Sequence, residues 1–508
     1  MGDYSESEVS IAFTNSSLAY TISDTDLVSG WLQGKSPKNV QHNPSMDKLP
    51  PPRHPLPQRS FSQDIRQKLG SSLSSLGRLL AYDADENAER GNWTGRLDFV
   101  LSMLGYAVGL GNIWRFPFLC YRNGGGAFIL PYLLMLCVVG LPLFYLEVCL
   151  GQFCSRGAAK CWEFAPIFKG VGVAMIVAST LVSIYYNMII AWAEFYMFAS
   201  FTSKLPWSDC DNPDWNTPDC SLKWPLVDCL TGVKQTNGTC YDVQGQLAGV
   251  WNSTLFEEVT GRRRVSPSEE YWSHHVLAKS SGVFSPGSPR WHLTLCLLLA
   301  WFITFLCLLK GIKTTGKVVY FTAIFPYVVL VVLFFRGVTL EAAANGIKFY
   351  IIPDFERLLD AKVWRDAGNQ IFYSLGAAWG GLITLASYNR FHNNALRDSL
   401  VVSLGNCLTS LFGGFVIFSY LGYMANQLNV DVSKVVTSGP GLAFIVYPEA
   451  VTRLPAPPVW SVAFFFMLIL LGLDSQFAMV ETVLTGILDQ WPQYRHRKTL
   501  VICLICIV

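Results

Sequence analysis

From residue 91 onward the chain is a succession of apolar runs, most of them close to the ~20 residues that cross a bilayer as a helix, separated by polar or basic stretches. The runs lie near 98–121, 126–153, 170–201, 291–309, 317–337, 368–389, 398–424 and 459–487, and a ninth begins near 499. That last run stops at Val508 with roughly half the length a crossing needs, so the sequence reads as truncated or as a variant with an unusual end. The first 90 residues show the opposite pattern. They are rich in Ser, Pro and charge and lack any apolar run, which predicts a disordered tail without a secretory signal.

Two runs are interrupted by glycines. One break is Gly105-Tyr106-Ala107-Val108-Gly109-Leu110-Gly111-Asn112, the other Tyr373-Ser374-Leu375-Gly376-Ala377-Ala378-Trp379-Gly380-Gly381. Lipid offers no hydrogen bonds, so backbone unwound at mid-membrane persists where it lines a cavity or binds something. Unwinding leaves free carbonyls on one side, suited to a small hard cation, and free N–H groups on the other, suited to a carboxylate. Glycine in one such run also fits close helix packing. Two matched breaks with polar residues at the same depth point to the binding site of a carrier.

Composition agrees. The 508 residues are 51% hydrophobic and 14% aromatic, with 15% charged. The net charge of +2 gives no reason to expect a nucleic-acid partner, but the placement of charge orients the chain. Arg156, Lys160 and Lys169, then Lys310, Lys313 and Lys317, then Arg390 and Arg397, then Arg495, Arg497 and Lys498 fall in alternate loops. The positive-inside rule makes these loops and the N-terminus cytoplasmic and residues 202–290 external. That external loop holds Cys210, Cys220, Cys229 and Cys240 and the sequons at Asn237 and Asn252. An oxidising exterior permits disulfides, of which Cys210–Cys220 is one short candidate. The sequons at Asn15 and Asn92 fall on the cytosolic side. The seven histidines show no metal-ligand spacing, and there is no nucleophile–base pair or phosphate loop, so the sequence does not read as an enzyme.

The stretches GYAVGLGNIWRFPFLCYRNGGGAF, IYYN, QIFYSLGAAWGGL, ASYNRFHNN and LGLDSQF resemble the sodium- and chloride-dependent neurotransmitter transporter family, within it most of all the glycine transporters. The likeness runs from about residue 90 to the end. It implies two inverted five-helix repeats with discontinuous helices 1 and 6, here reaching into helix 9: residues 91–337 as the first repeat and 338–508 as an incomplete second. It further implies a plasma-membrane symporter.

Residue by residue, the resemblance implies one sodium site at Ala107, Asn112, Ser374 and Asn406, completed by the substrate carboxylate. A second would use Gly105, Val108, Leu471, Asp474 and Ser475. Chloride would sit among Tyr121, Gln370, Ser374 and Ser410. Two sodium charges in a low-dielectric centre call for negative charge, and the pocket offers Ser410 rather than a fixed carboxylate. Substrate would contact Tyr106, Leu110, Gly111, Tyr186, Tyr373, Ser374, Gly376, Trp379, Ser475 and Met479. Monoamine carriers of the family place an aspartate at the position of Gly109, so a substrate carrying its own carboxylate is favoured here. The Trp379 indole leaves room for little beyond a hydrogen. Glycine, a small zwitterion, fits these limits, and Gly376 is similar to the subtype that also admits N-methylglycine. A broader neutral amino-acid or proline carrier of the same family, or a truncated regulatory isoform, is the competing reading. By the same resemblance Arg115 belongs to an outer gate, and Arg90, Trp93, Tyr388 and Asp489 to an inner one. Glu147 would brace the second break. Glu481 shows no evident partner, and Glu194 receives no role.

Overall fold

The computed structural model describes residues 91–507 except Thr94, 310–311, 429–430, 433–441, single positions within 281–286 and most of 221–264. The expected tail, Arg90 and the sequons at Asn15, Asn237 and Asn252 therefore lie outside the described residues.

The membrane body is helical. Helix α1 (Arg96–Ala107) is followed by a π-helical turn, Gly111–Arg115, and by α2 (Phe116–Arg122). Next come α3 (Gly126–Met135) and α4 (Leu141–Cys154), joined by a second π-helical turn into one span, and the long α5 (Lys169–Ala199). Then follow α6 (Trp291–Leu308), α7 (Ile312–Val338) and the short α8 (Ala343–Ile351). After these come α9 (Ala361–Leu375), α10 (Gly381–Ala386), α11 (Ala395–Leu428), α12 (Tyr447–Thr452), α13 (Pro457–Gln490) and α14 (Lys498–Ile507). Among the described residues six helices are long and apolar enough to cross a membrane, and a seventh span is the bent pair Leu97–Ala107 and Gly111–Arg122, kinked by 46°.

Three departures from the sequence pattern have identifiable causes. The sixth span starts at Ala361, seven residues before the apolar run, because the Asp360 side chain accepts the Lys362 N–H and caps the helix. The first break is confined to residues 108–110. Gly105 stays helical, and its value there is close approach, since a Cβ at this position would lie 2.8 Å from Asp474 Oδ2. The expected all-α architecture is supplemented in the 202–290 loop by a three-stranded antiparallel sheet, β1 (Val233–Lys234), β2 (Thr239–Tyr241) and β3 (Leu247–Val250). In the same loop Cys210 and Cys220 form a disulfide.

Burial ranks the spans. Of the most apolar window of α13, 83% is buried inside the protein, against 17% for the span built on α5. A helix apolar on all faces belongs in the interior, so α13 is the central post against which α1, α5 and α7 pack. Polar side chains on such a post must find partners or bind something. Asp474, Ser475, Gln476, Glu481, Thr482 and Thr485 are all buried on it.

Candidate functional site

The two interruptions adjoin each other beside α13, the Tyr106 hydroxyl donating to the Gly376 carbonyl at 3.0 Å. After α1 the chain turns extended at Val108 (φ −88°, ψ 90°) before the π-helical turn begins. On the other side residues 376–380 carry positive φ at Gly376, Ala378 and Gly380 (62°, 65° and 78°). Left-handed backbone at alanine costs about 1–2 kcal/mol, and the surroundings hold it. The Ala378 N–H donates to Glu147 Oε1 at 2.6 Å, and the Trp379 carbonyl accepts from Ser179 Oγ at 2.8 Å. The bracing contact expected of Glu147 is thus in place.

Between the breaks lies a cavity of about 20 Å³, on the scale of one or two water molecules. Tyr106, Ala107, Gly109, Gly111 and Asn112 line it from the first break, and Tyr373, Ser374, Gly376 and Trp379 from the second. Tyr186 enters from α5, and Ser475 and Met479 from α13. Leu110 is the exception among the expected substrate contacts. Its buried side chain turns toward Gly472 of α13, and its N–H donates to the Tyr186 hydroxyl at 3.2 Å.

A polar cluster adjoins this cavity. Asn112 Oδ1 accepts the Gly109 N–H at 3.1 Å, and Asn112 Nδ2 lies 2.8 Å from both Asn406 Oδ1 and Ser410 Oγ. Asn406 Nδ2 donates to Ser374 Oγ at 2.9 Å. All four side chains are buried. Gln370 donates to the Gly111 carbonyl at 3.3 Å, while its Oε1 has no protein partner among the described residues. The structure brings together Asn112, Ser374, Asn406, Gln370 and Ser410, but not Tyr121. The Tyr121 ring packs on Phe349, 6.0 Å away. The hydroxyl near this cluster is that of Tyr132, 3.4 Å from Ser410 Oγ. Tyr121 on α2 is partly buried, whereas Tyr132 on α3 is fully buried.

Below Gly105 sits a second oxygen group. Ser475 Oγ donates toward the Gly105 and Tyr106 carbonyls at 3.4 and 3.2 Å. Asp474 Oδ1 accepts from Thr322 Oγ1 at 2.5 Å. Val108 and Leu471 are buried nearby in the sequence of the same elements. Thr322 was not singled out by sequence, because a threonine one turn into an apolar span carries no signal of its own.

The gate residues divide. The Arg115 guanidinium lies 4.1 Å from the centre of the Tyr373 ring, a cation–π contact. At the other end Trp93 Nε1 donates to the Leu385 carbonyl at 3.0 Å, and its ring meets Tyr388 edge-on. Tyr388 donates to Glu481 at 2.9 Å, so Glu481 has a partner after all, with Lys498 Nζ a further 3.7 Å contact. Asp489 has partners of its own. It accepts the Gly157 N–H at 2.8 Å and pairs with Arg495 at 3.5 Å. Asn92 is buried, its Nδ2 donating to the Tyr388 and Asn389 carbonyls. Neither Glu194 oxygen meets a hydrogen-bond partner among the described residues.

Comparison with known proteins places this arrangement. The family model described as sodium:neurotransmitter symporter family matches residues 90–508. The sodium- and chloride-dependent glycine transporter 2 of Xenopus laevis is 53% identical over 430 residues, covering 84% of this chain and 54% of that protein. The glycine transporter 1 of the same organism is 54% identical over 410 residues, covering 81% and 63%. A human sodium- and chloride-dependent neutral and basic amino acid transporter B(0+) is 51% identical over 432 residues, covering 83% and 66%. The chain therefore spans between about half and two thirds of the length of these relatives.

Proposed function

Because the chain belongs to the sodium:neurotransmitter symporter family, a family of transporters rather than enzymes, we propose that it is a sodium- and chloride-dependent symporter that takes up glycine across the plasma membrane by alternating access. The observation that carries this reading is the cavity between the two breaks: small, flanked by two oxygen clusters, and without an acid among its lining residues. A substrate there must supply its own negative charge. One sodium ion would sit at Ala107, Asn112, Ser374 and Asn406, bridged to the substrate carboxylate, with Tyr186 donating its hydroxyl to the same group. A second would sit at Gly105, Val108, Leu471, Asp474 and Ser475. Chloride would occupy the cluster of Ser374, Gln370 and Ser410, with Tyr132 in the place first given to Tyr121. The N-terminus is cytoplasmic and the disulfide-bonded loop external, in keeping with the basic loops.

The mechanism is electrostatic. Each cation entering the low-dielectric centre demands a counter-charge, supplied by Asp474, by chloride and by the substrate carboxylate together. One net positive charge carried inward across about 100 mV contributes about 2.3 kcal/mol, enough to concentrate substrate roughly fiftyfold. The inner contacts of Trp93 and Tyr388 with Leu385 and Glu481 must open for release, and the outer Arg115–Tyr373 pair for entry.

The test is uptake of radiolabelled glycine, N-methylglycine, proline and leucine by cells expressing this chain, with sodium and then chloride replaced. Glycine uptake that needs both ions is expected. Uptake of leucine as fast as glycine would instead favour a broad-specificity carrier of the kind represented by the neutral and basic amino acid relative.

Two substitutions sharpen it. Trp379→Phe opens the pocket wall that stands edge-on to Tyr373 at 5.3 Å. Competition by alanine or proline should strengthen about tenfold, the scale of one or two methylenes in an apolar site; unchanged selectivity would remove Trp379 from the pocket. Ser410→Glu brings a fixed negative charge into the cluster in which the serine hydroxyl lies 2.8 Å from Asn112 Nδ2. Uptake by that variant is expected to persist when chloride is replaced by gluconate, and retained chloride dependence would contradict the counter-charge role.

A further inference from the structure

Two adjacent tyrosines on the unbroken helix α5 each touch a different broken helix. Tyr186 is buried, and its hydroxyl accepts the Leu110 N–H from the first break. Tyr185, about a hundred degrees around the helix, is half exposed and does not line the cavity. Its hydroxyl reaches the Tyr373 hydroxyl at 3.5 Å, on the last turn before the second break. Tyr373 lines the cavity, and in the functional reading above it belongs to the pair that opens for entry. One face lies under the Arg115 guanidinium, its edge meets Trp379, and its Cε1 would stand 2.9 Å from a Cβ at Gly111, so the ring rests on bare backbone. These contacts hold the plane of the ring. Among the described residues the one hydrogen-bond partner of its hydroxyl is Tyr185.

We infer that Tyr185 is a positioning residue for substrate closure: its hydroxyl holds the Tyr373 lid over the pocket from outside, tying lid closure to the rigid helix that also carries Tyr186. The inference rests on the functional reading above. A phenylalanine lid would lack this link, and tyrosine at both positions is what makes the link chemically available. At 3.5 Å the contact is longer than an ordinary O–H···O hydrogen bond, as suits a link that tightens when the lid closes on substrate and lets go when it opens.

The test uses hydroxyl deletions that keep both rings. In Tyr185→Phe the KM for glycine is expected to rise roughly three- to tenfold, the worth of one hydrogen bond, and bound glycine to dissociate faster by a similar factor. Maximal rate and cell-surface amount should stay near those of the parent chain. Tyr373→Phe removes the same pair from the other side, and its effects on KM and on glycine dissociation should be of similar size. The double variant should be no worse than either single one, the mark of a shared interaction. If the parent chain takes up no glycine, the functional reading itself fails and the lid role falls with it. If the parent chain transports and Tyr185→Phe leaves KM and dissociation unchanged, or the two effects add, the lid role alone is overturned. A packing role for Tyr185 would leave all of these constants unmoved, because the ring is retained.

Discussion

Gly109→Ala should lower glycine uptake by at least about 100-fold while leaving the protein at the cell surface in normal amount. A Cβ at this position would lie 2.6 Å from Ser475 Oγ and 2.7 Å from Tyr186 Oη. Neither hydroxyl can retreat freely. Tyr186 is held by the Leu110 N–H, and Ser475 by the Gly105 and Tyr106 carbonyls. Overpacking of this kind costs about 1–3 kcal/mol in a close-packed interior, and here the added methyl also projects into the cavity proposed for the substrate carboxylate. The upper end of that range alone corresponds to roughly 100-fold. Gly368→Ala is the matched control, since a Cβ there meets nothing within 4 Å, and its uptake should equal that of the parent chain. Normal uptake by Gly109→Ala would place the substrate elsewhere.

The second large effect is expected at Asp474. Among the residues assigned to the two sodium sites it is the single carboxylate, 5% exposed, beside Gly105 and hydrogen-bonded to Thr322. Asparagine has nearly the same shape and can still accept from Thr322, so Asp474→Asn removes charge while sparing the packing. The apparent sodium affinity of uptake should fall by roughly 100-fold, since altering even the outer partners of a bound metal costs 10–100-fold. The measurement is a sodium titration of glycine uptake at fixed chloride. A half-saturating sodium concentration equal to that of the parent chain would show that Asp474 is not a sodium ligand.

Much of this architecture could be read from residue order. Apolar runs of bilayer length gave the spans, and glycines in two of them marked both breaks, because in lipid an unwound helix needs an unusual composition. What escaped depended on partners far apart in sequence. The hydroxyl beside Ser410 belongs to Tyr132, an apolar-run residue indistinguishable by pattern from Tyr121, and only the tertiary contact that brings Tyr132 Oη to 3.4 Å from Ser410 Oγ separates them. Glu481 looked solitary because Tyr388, 93 positions away, supplies its hydrogen bond. The start of α9 lies in a polar segment, where the signal was a capping aspartate rather than hydrophobicity. Gly105 was read as part of an unwound stretch; it is helical, and its lack of a side chain admits Asp474 instead. The short strands at 233–250 lie in a loop whose composition was read for cysteines and sequons alone.

The most direct test of the central claim is equilibrium binding of glycine to the purified chain, free of any need for turnover. In sodium chloride binding should be saturable, and exchanging sodium for potassium should weaken it by about 10- to 100-fold, the usual range of coupling between two ligands. Glycine bound equally well in potassium, or not at all in sodium chloride, would contradict a site in which cation and carboxylate are held together between the two breaks.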